Sequence, residues 1–293
     1  MSTEPPVARN ALVAGGGGME KIVLVARDGA RVETYLHGAH VTSWHPSGAA
    51  DDRLYLSPLA HFAPGTSIRG GVPVCFPQFA DQGTLPMHGF ARDMAWELVA
   101  AGLDGTGAAQ ARLRLADSPA TRALWPHAFA CEITVTASGP SLTVELAVTN
   151  TGTDSFAFTT ALHSYLRVAD VRRVRVEGLA GARYRDKNLR QNDVAEIQQA
   201  IAVDRPLDRV YHVVPDAVVV REPHRGLRVH ASGTTDTVVW NPGPQDAPAG
   251  DLPADGWRSF LCVEAAVAST STTLAPGQRW QGAQTMTALE GNP

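Results

Sequence analysis

Short runs in which apolar and polar residues alternate recur along most of this chain. Examples are residues 111–115 (ARLRL), 132–136 (EITVT) and 142–148 (LTVELAV). Successive side chains of a β-strand point to opposite faces, so this pattern is typical of half-buried strands. Many short strands separated by turn signals, with little helical periodicity, predict an all-β chain folded as a large antiparallel β-sandwich.

Turn and helix signals complete this prediction. Asp28-Gly29 and residues 138–140 (SGP) mark tight turns between strands. Residues 118–124 predict one short helix, with Ser118 as its N-cap and Pro119 in its first turn. Residues 193–200 predict a second helical turn. The sandwich is therefore expected to contain one or two short helices.

The first 18 residues differ from the rest of the chain. They contain Pro5, Pro6 and the glycine run 15–18, with few large apolar side chains. We predict a flexible tail over residues 1–18. Residues 19–293 show no break in composition, and all-β folds of this size are often one domain, so a single domain is expected there.

Composition and charge narrow the class of partner. The 293 residues are 44% hydrophobic and 18% charged, which is typical of a globular protein with a sizeable core. The net charge of −4 argues against nucleic acid as a partner. No apolar run is long enough to span a membrane, and three cysteines without CxxC spacing predict no disulfide framework. We expect a cytoplasmic monomer that binds a small molecule.

Several common mechanisms lack their sequence motifs. The chain has no GxGxxG, GxxxxGK[ST], HExxH or GxSxG motif and no EF-hand spacing. His37, His40 and His45 cluster in sequence, but strand residues three apart face opposite sides and no cysteine or carboxylate completes a ligand set. We therefore predict no metal and no cofactor, and interpret these histidines as strand and turn residues.

The densest concentration of chemistry lies in residues 68–79 (IRGGVPVCFPQF) and 88–92 (HGFAR). Glycine and proline indicate a rigid, shaped loop, and the guanidinium groups of Arg69 and Arg92 suit a phosphate or carboxylate. An irregular edge strand with solvated arginines explains the same residues equally well. The stretch alone leaves both interpretations open.

Two further residues are candidates for acid–base chemistry. His163 lies in an apolar, β-prone stretch, where a buried imidazole can transfer a proton near pH 7 or can be a core residue bonded to a carbonyl group. Glu264 is the single carboxylate in residues 260–267 (FLCVEAAV). Because burial raises the pKa of a carboxyl group toward that of a useful base, a functional role is favoured for Glu264. Asp208 could hold a sugar hydroxyl or pair with Arg209.

Five stretches together resemble the hexose-6-phosphate mutarotases (glucose-6-phosphate 1-epimerases) of the aldose-1-epimerase-like superfamily. They are residues 68–79, 88–92, 162–165 (LHSY), 208–211 (DRVY) and 262–264 (CVE). They occur in the order of that family and span most of the chain after Lys21. The resemblance implies a galactose mutarotase-like supersandwich and interconversion of the α and β anomers of a hexose 6-phosphate.

The resemblance also implies roles for individual residues. His163 would be the general acid and Glu264 the general base, with no metal or cofactor. Arg69 and Arg92 match positions associated with substrate and phosphate binding, Asp208 matches a sugar-binding position, and His88 is expected to contact substrate or brace the loop. Met87 replaces a polar residue of the family, such as glutamine, so one substrate hydrogen bond is either missing or supplied by another group, for example Gln82 or Gln78.

Three alternatives remain at this point. The first is a mutarotase of unphosphorylated aldoses, in which the arginines serve structure. The second is a non-catalytic carbohydrate-binding or sensor protein on the same fold, since fold alone does not fix function. The third is a cupin-like metal enzyme. Retention of both His163 and Glu264 argues against the second alternative.

Overall fold

The computed structural model describes residues 12–244 and 250–290, and these are nearly all β. The described residues form 21 strands: β1 (Leu12–Ala14), β2 (Glu20–Val25), β3 (Arg31–Tyr35), β4 (Val41–His45), β5 (Val74–Cys75), β6 (Glu97–Leu103), β7 (Ala109–Ala116), β8 (Phe129–Ser138), β9 (Ser141–Asn150), β10 (Phe156–Leu162), β11 (Tyr165–Arg167), β12 (Arg175–Glu177), β13 (Arg183–Asp186), β14 (Gln191–Ala195), β15 (Ala200–Ala202), β16 (Leu207–Tyr211), β17 (Val218–Arg221), β18 (Arg225–Ser232), β19 (Asp236–Asn241), β20 (Phe260–Leu274) and β21 (Arg279–Glu290). The predicted all-β class is confirmed.

These strands form three antiparallel sheets. A nine-stranded sheet has the order β15-β12-β17-β18-β21-β9-β8-β7-β6, and a four-stranded sheet has the order β1-β2-β3-β4. An eight-stranded sheet has the order β14-β13-β16-β19-β20-β10-β5, with β11 also paired to β20. The two turn signals are confirmed, because Asp28-Gly29 connects β2 to β3 and residues 139–140 connect β8 to β9.

The sheets share one hydrophobic core. Alternate residues of β8 and β9 are buried, as their sequence pattern predicts. The core cluster joins side chains of all three sheets, among them Ile22 of β2, Leu113 of β7 and Val263 of β20. This packing of sheet on sheet is the predicted sandwich, because each sheet must bury its apolar face against another layer.

Phe76 fixes the arginine-rich loop to this core. It is fully buried, and its ring lies 5.4–6.4 Å from the rings of Phe90, Trp125, Phe129 and Phe158. Aromatic rings at these separations add edge-to-face attraction to the burial of their apolar surface. The loop on either side of Phe76 is therefore held rigidly at the end of the eight-stranded sheet.

Two local predictions need correction. Residues 12–14 form strand β1, which pairs with β2, and the backbone N–H of Gly16 donates to the Tyr35 hydroxyl at 2.8 Å. The prediction of a flexible tail is thus wrong for residues 12–18, because the edge of β2 offers backbone partners there. Residues 1–11 lie outside the described residues.

The second correction concerns the helices. The helix with Ser118 as N-cap is confirmed as α1 (Pro119–Leu124), with a complete capping box between Ser118 and Thr121. The helical turn predicted over residues 193–200 is wrong, because residues 191–195 form β14 against β13 and residues 200–202 form β15 against β12. Cross-strand pairing overrides a weak local helical preference here. In the part of the chain that the structure describes, no helix has the length and apolarity needed to cross a membrane.

Candidate active site

Glu264 and His163 meet at the centre of the eight-stranded sheet. Leu162, the last residue of β10, pairs with Ala265 of β20, so His163, which directly follows β10, faces Glu264. His163 Nδ1 lies 3.5 Å from Glu264 Oε1, and the two residues are 7% and 1% exposed. Neither Glu264 Oε2 nor His163 Nδ1 has a hydrogen-bond partner among the described residues. Two buried polar atoms without partners mark a place where a ligand would supply them.

Strand alternation explains why the Glu264 carboxyl group reaches a cavity. Val263 points into the shared hydrophobic core, so Glu264 points to the other face of β20. On that face Glu264 pairs laterally with Val238, Val238 with Val210, and Val210 with Arg185. All four side chains of this row line one cavity of about 650 Å³. A cavity of this size accommodates a small ligand.

Burial opposes the charged forms of both groups. It raises the pKa of Glu264 well above its ordinary value, with the Asp208 carboxylate acting in the same direction. Burial lowers the pKa of His163 well below its ordinary value, and the neighbouring His88, Arg92 and Arg69 lower it further. A proton shared by this pair therefore prefers the carboxyl group to the imidazole in the cavity without substrate.

The ring of His163 is held between aromatic groups. It stacks on Tyr165 with ring centroids 4.9 Å apart, and it makes edge contacts with His88 at 5.4 Å and Trp240 at 5.7 Å. Its backbone N–H donates to the carbonyl oxygen of Pro73 at 3.0 Å. These contacts fix the direction of the imidazole, which geometric control of proton transfer requires.

His88 both braces its loop and faces the cavity. Its Nδ1 accepts a hydrogen bond from the Ala80 backbone N–H at 3.2 Å and lies 3.2 Å from Cys75 Sγ. An N–H that donates to Nδ1 requires this nitrogen to be unprotonated, so the proton is on Nε2. Burial lowers the pKa of His88 to about 3, and the charges of Arg92 and Lys187 act in the same direction. His88 is thus a neutral hydrogen-bond donor.

Arg69 and Arg92, the arginines of residues 68–79 and 88–92, have different surroundings. Arg69 donates from Nε to Asp251 Oδ2 at 3.0 Å and from Nη1 to the Tyr165 hydroxyl at 3.0 Å. Arg92 donates from Nη2 to the Met87 carbonyl oxygen at 2.8 Å, while its buried Nε has no partner among the described residues. Both guanidinium groups line the main cavity and an adjoining one of about 240 Å³. The motif is therefore an edge strand, β5, whose flanking arginines face a polar cavity.

The remaining predicted site residues divide into two groups. Asp208 and Met87 line the cavity, Met87 being more than half exposed at its rim. Gln78 is not among the described residues that line it, because the Gln78 amide is bonded to the backbone of Ala80 and Leu85. The expected contact of Gln78 with substrate is replaced by a loop-bracing role, whereas Gln82 does line the cavity.

Asp208 does not pair with Arg209. The two side chains lie on opposite faces of β16, and Arg209 instead contacts Asp186 Oδ2 at 3.1 Å and Glu196 Oε2 at 2.8 Å in a buried network. Burial raises the pKa of Asp208, and the nearby charges of Lys187 and Arg185 oppose that shift. Asp208 is therefore a cavity residue and not the ion-pair partner of Arg209.

One wall of the cavity, formed by β13, β14 and their turn, was not predictable from the sequence. That wall contributes Arg185, Lys187, Arg190 and Asn192. The only signal was the concentration of charged residues in residues 183–187 (RYRDK), which is equally typical of a solvated turn. Tyr165 and Trp240 were also missed, since aromatic residues within β-like runs are indistinguishable from core.

The three clustered histidines occupy separate backbone environments. His37 Nε2 bonds to the Thr66 carbonyl oxygen at 2.8 Å and His40 Nε2 to that of Gly70 at 2.7 Å. His45 Nε2 lies 3.7 Å from Asp52. Within the described ranges no three His, Cys, Asp or Glu side chains converge as a metal-binding group.

Comparison with known proteins places this site in a wider context. The profile of the aldose 1-epimerase family matches residues 20–287. A "Putative glucose-6-phosphate 1-epimerase" of Cenchrus ciliaris is 37% identical over 289 residues, covering 95% of this chain and 87% of that protein. One of the same name from Escherichia coli K12 is 37% identical over 265 residues, covering 85% and 83%.

Solved structures show the same architecture. A "putative mutarotase (YeaD)" from Salmonella typhimurium superimposes with a TM-score of 0.85 at 32% identity, covering 93% of this chain and 91% of that one. A galactose mutarotase-like protein from Clostridium acetobutylicum, at 14% identity, shares the fold with a TM-score of 0.75 over 95% of this chain and 98% of its own.

Proposed function

Because the chain belongs to the aldose 1-epimerase family, we propose that it interconverts the α and β anomers of a hexose 6-phosphate, with glucose 6-phosphate as the first substrate to test. The observation that carries this proposal is the buried Glu264–His163 pair, whose unpartnered atoms face a cavity lined by arginines. Ring opening needs a base at the C1 hydroxyl and an acid at the ring oxygen, and this pair supplies one of each.

In the proposed reaction Glu264 takes the proton from the C1 hydroxyl while His163 protonates the ring oxygen. The C1–O5 bond breaks and leaves an open-chain aldehyde beside a protonated Glu264 and a neutral His163. Rotation about C1–C2 exposes the other face of the carbonyl group. Closure then returns the proton from Glu264 to the carbonyl oxygen and the hydroxyl proton to His163, so atoms and charges balance.

The pKa shifts of Glu264 and His163 favour the protonation state that accompanies the open-chain aldehyde. Burial favours neutral His163 and protonated Glu264, which is the state that accompanies the open-chain aldehyde. Ring opening from this state therefore first needs one proton to move from Glu264 to His163. A phosphate bound near His163 would favour this transfer, because a nearby negative charge raises the pKa of an imidazole.

The substrate's own connectivity predicts where its phosphate lies. O5 and C6 are attached to the same carbon, so an O5 atom at His163 places the 6-phosphate on the His163 side of the sugar. Arg69 and Arg92 lie on that side, close enough to lower the pKa of His163. Asp208 lies two strands from β20, where it is available for ring hydroxyls.

A mutarotase of free aldoses is the second candidate, and one observation favours it. Arg69 is already bonded to Asp251 and Tyr165, as expected of an arginine with a structural role. Measuring anomerisation of glucose 6-phosphate, glucose and galactose with an anomer-specific dehydrogenase separates the candidates. We expect the phosphorylated sugar to be strongly preferred; equal or greater turnover of the free sugars would favour the second candidate.

Two substitutions test the acid–base roles. Glu264→Gln and His163→Asn should each lower kcat by about 10²-fold or more, because each removes one positioned proton transfer. Glu97→Gln and His224→Asn, on exposed residues outside the cavity, are matched controls and should retain the wild-type rate. Near-normal turnover in both site variants would show that the pair does not perform the chemistry.

A further inference from the structure

Lys187 is an exposed cation that lines the cavity and pairs with another residue of its lining. It follows β13, and its ammonium group lies 3.4 Å from Asp81 Oδ1, in the loop that also carries His88. Lys187 and Asp81 are 106 positions apart in sequence, and both line the cavity. The contact therefore joins the end of β13 to the loop that precedes His88, two segments that both line the cavity.

This ion pair is easily exchanged. The side chains of Lys187 and Asp81 are 48% and 67% exposed, and ion pairs of such exposure contribute little because water screens them. Arg69 differs, since its guanidinium group is held by both Asp251 and Tyr165 at 3.0 Å. Lys187 is thus a weakly engaged cation on the wall of this cavity.

The backbone beneath Lys187 is firmly placed, although its ammonium group is not. The Lys187 N–H donates to the Asp208 carbonyl oxygen at 2.8 Å. Asp186, the preceding residue, is bonded to the buried Arg209. A flexible four-carbon side chain on a fixed backbone can move its charge between two nearby partners without moving the wall.

Lys187 also acts on the groups around the catalytic pair. Its charge lowers the pKa of His88 together with Arg92 and Arg69, and the ring of His88 lies 5.4 Å from that of His163. Arg69, Arg92 and Lys187 all line the cavity in which a hexose 6-phosphate is proposed to bind. A phosphate monoester carries close to two negative charges at neutral pH, which makes it a stronger partner than one exposed carboxylate.

We propose that Lys187 is a specificity-determining residue that exchanges Asp81 for the phosphate group of the substrate. The inference rests on the proposed function, because it needs a phosphorylated sugar in this cavity. In the free protein Asp81 holds the ammonium group of Lys187. This ion pair breaks when the phosphate binds. The sugar itself makes no use of Lys187, so unphosphorylated aldoses are indifferent to it.

Lys187→Met, Asp81→Asn and the double variant test the exchange, with KM and kcat measured on glucose 6-phosphate and glucose. Lys187→Met should raise KM for glucose 6-phosphate about tenfold, the lower end for a charge-assisted hydrogen bond, and leave KM for glucose unchanged. Asp81→Asn should lower KM for glucose 6-phosphate about threefold by freeing the ammonium group. That gain should vanish when Lys187 is already methionine.

The controls separate this inference from general electrostatics and from the proposed function. Arg205→Met removes an exposed cation that does not line the cavity and should change neither KM, whereas Lys187→Arg should retain most of the affinity. A gain from Asp81→Asn that persists without Lys187 would show simple charge repulsion and overturn the exchange. Unchanged KM in Lys187→Met would overturn the role of Lys187 alone. A wild-type protein that does not anomerise glucose 6-phosphate would refute both proposals.

Discussion

Replacement of Arg209 by methionine is expected to cost more stability than any surface charge change in this protein. Arg209 is 3% exposed, bonds to Asp186 and Glu196, and lies over the Tyr184 ring with its guanidinium carbon 4.5 Å from the ring centroid. Methionine fills much of the same volume but leaves two carboxylates buried without a cation. Removing one partner of a buried ion pair costs about 3–5 kcal/mol.

The assay is urea unfolding at neutral pH, supported by thermal melts. A loss of about 3–5 kcal/mol corresponds to a fall of roughly 6–10 °C in Tm, at about 2 °C per kcal/mol for a chain of this size. Arg183→Met is the matched control on the neighbouring strand β13, because the ion pair between Arg183 and Asp193 is exposed. This control should leave the unfolding midpoint unchanged.

A rescue variant identifies the cause of the loss. Adding Asp186→Asn and Glu196→Gln to Arg209→Met removes both orphaned charges and keeps an oxygen that accepts the N–H bonds of Leu189 and Gln198. We expect this triple variant to recover more than half of the lost stability. A loss below about 1 kcal/mol in Arg209→Met, or no recovery in the triple variant, would refute the buried-charge reasoning.

Two further predictions concern pH and one glycine. Burial lowers the pKa of His40 to about 4 and of His88 to about 3, and also lowers that of His163, so the unfolded chain binds more protons below about pH 6.5. Stability should therefore fall from pH 7 to pH 5, with a slope that approaches about 1.4 kcal/mol per pH unit for each such imidazole below about pH 6.5. The raised pKa values of Glu264 and Asp208 oppose this fall, because they favour protonation of the native state. An unfolding midpoint in urea that did not fall over this range would contradict the shifts. Gly89 has φ +73°, and an added Cβ would lie 2.2 Å from the Phe76 carbonyl oxygen. Gly89→Ala should thus lose roughly 1–3 kcal/mol in urea unfolding and much of the activity, whereas Gly139→Ala, with φ +53° and open space around its Cβ, should lose less and stay active; equal losses would refute the steric clash.

The fold was predictable because its signal is local. The alternation in residues 132–136 and 142–148 reports which side of a strand is buried, and this period of two survives in the structure as β8 and β9. Capping chemistry is equally local, so α1 was found with its N-cap Ser118. The helix predicted over residues 193–200 was wrong because pairing with β13 and β12 sets the conformation there. Such pairing cannot be read from local helical propensity.

The candidate site depended on both sources. Glu264 was identifiable from sequence alone, since a single carboxylate in an apolar strand is costly to bury without a purpose. The resemblance supplied His163 as its partner, but only the lateral register of β10 and β20 brings the two groups within 3.5 Å. The bonds of the Gln78 amide to loop backbone were not predictable, because such hydrogen bonds leave no trace in residue spacing.

The sequence by itself determined the sandwich, its strand faces and the residue types available for acid–base chemistry, because burial alternates along each strand and polar exceptions stand out. Tertiary structure alone decided which of those residues meet. Arg185, Val210, Val238 and Glu264 come from four strands yet form one lateral row, and Lys187 reaches Asp81 across 106 positions. Such contacts depend on strand order and register, which many distant side chains set together.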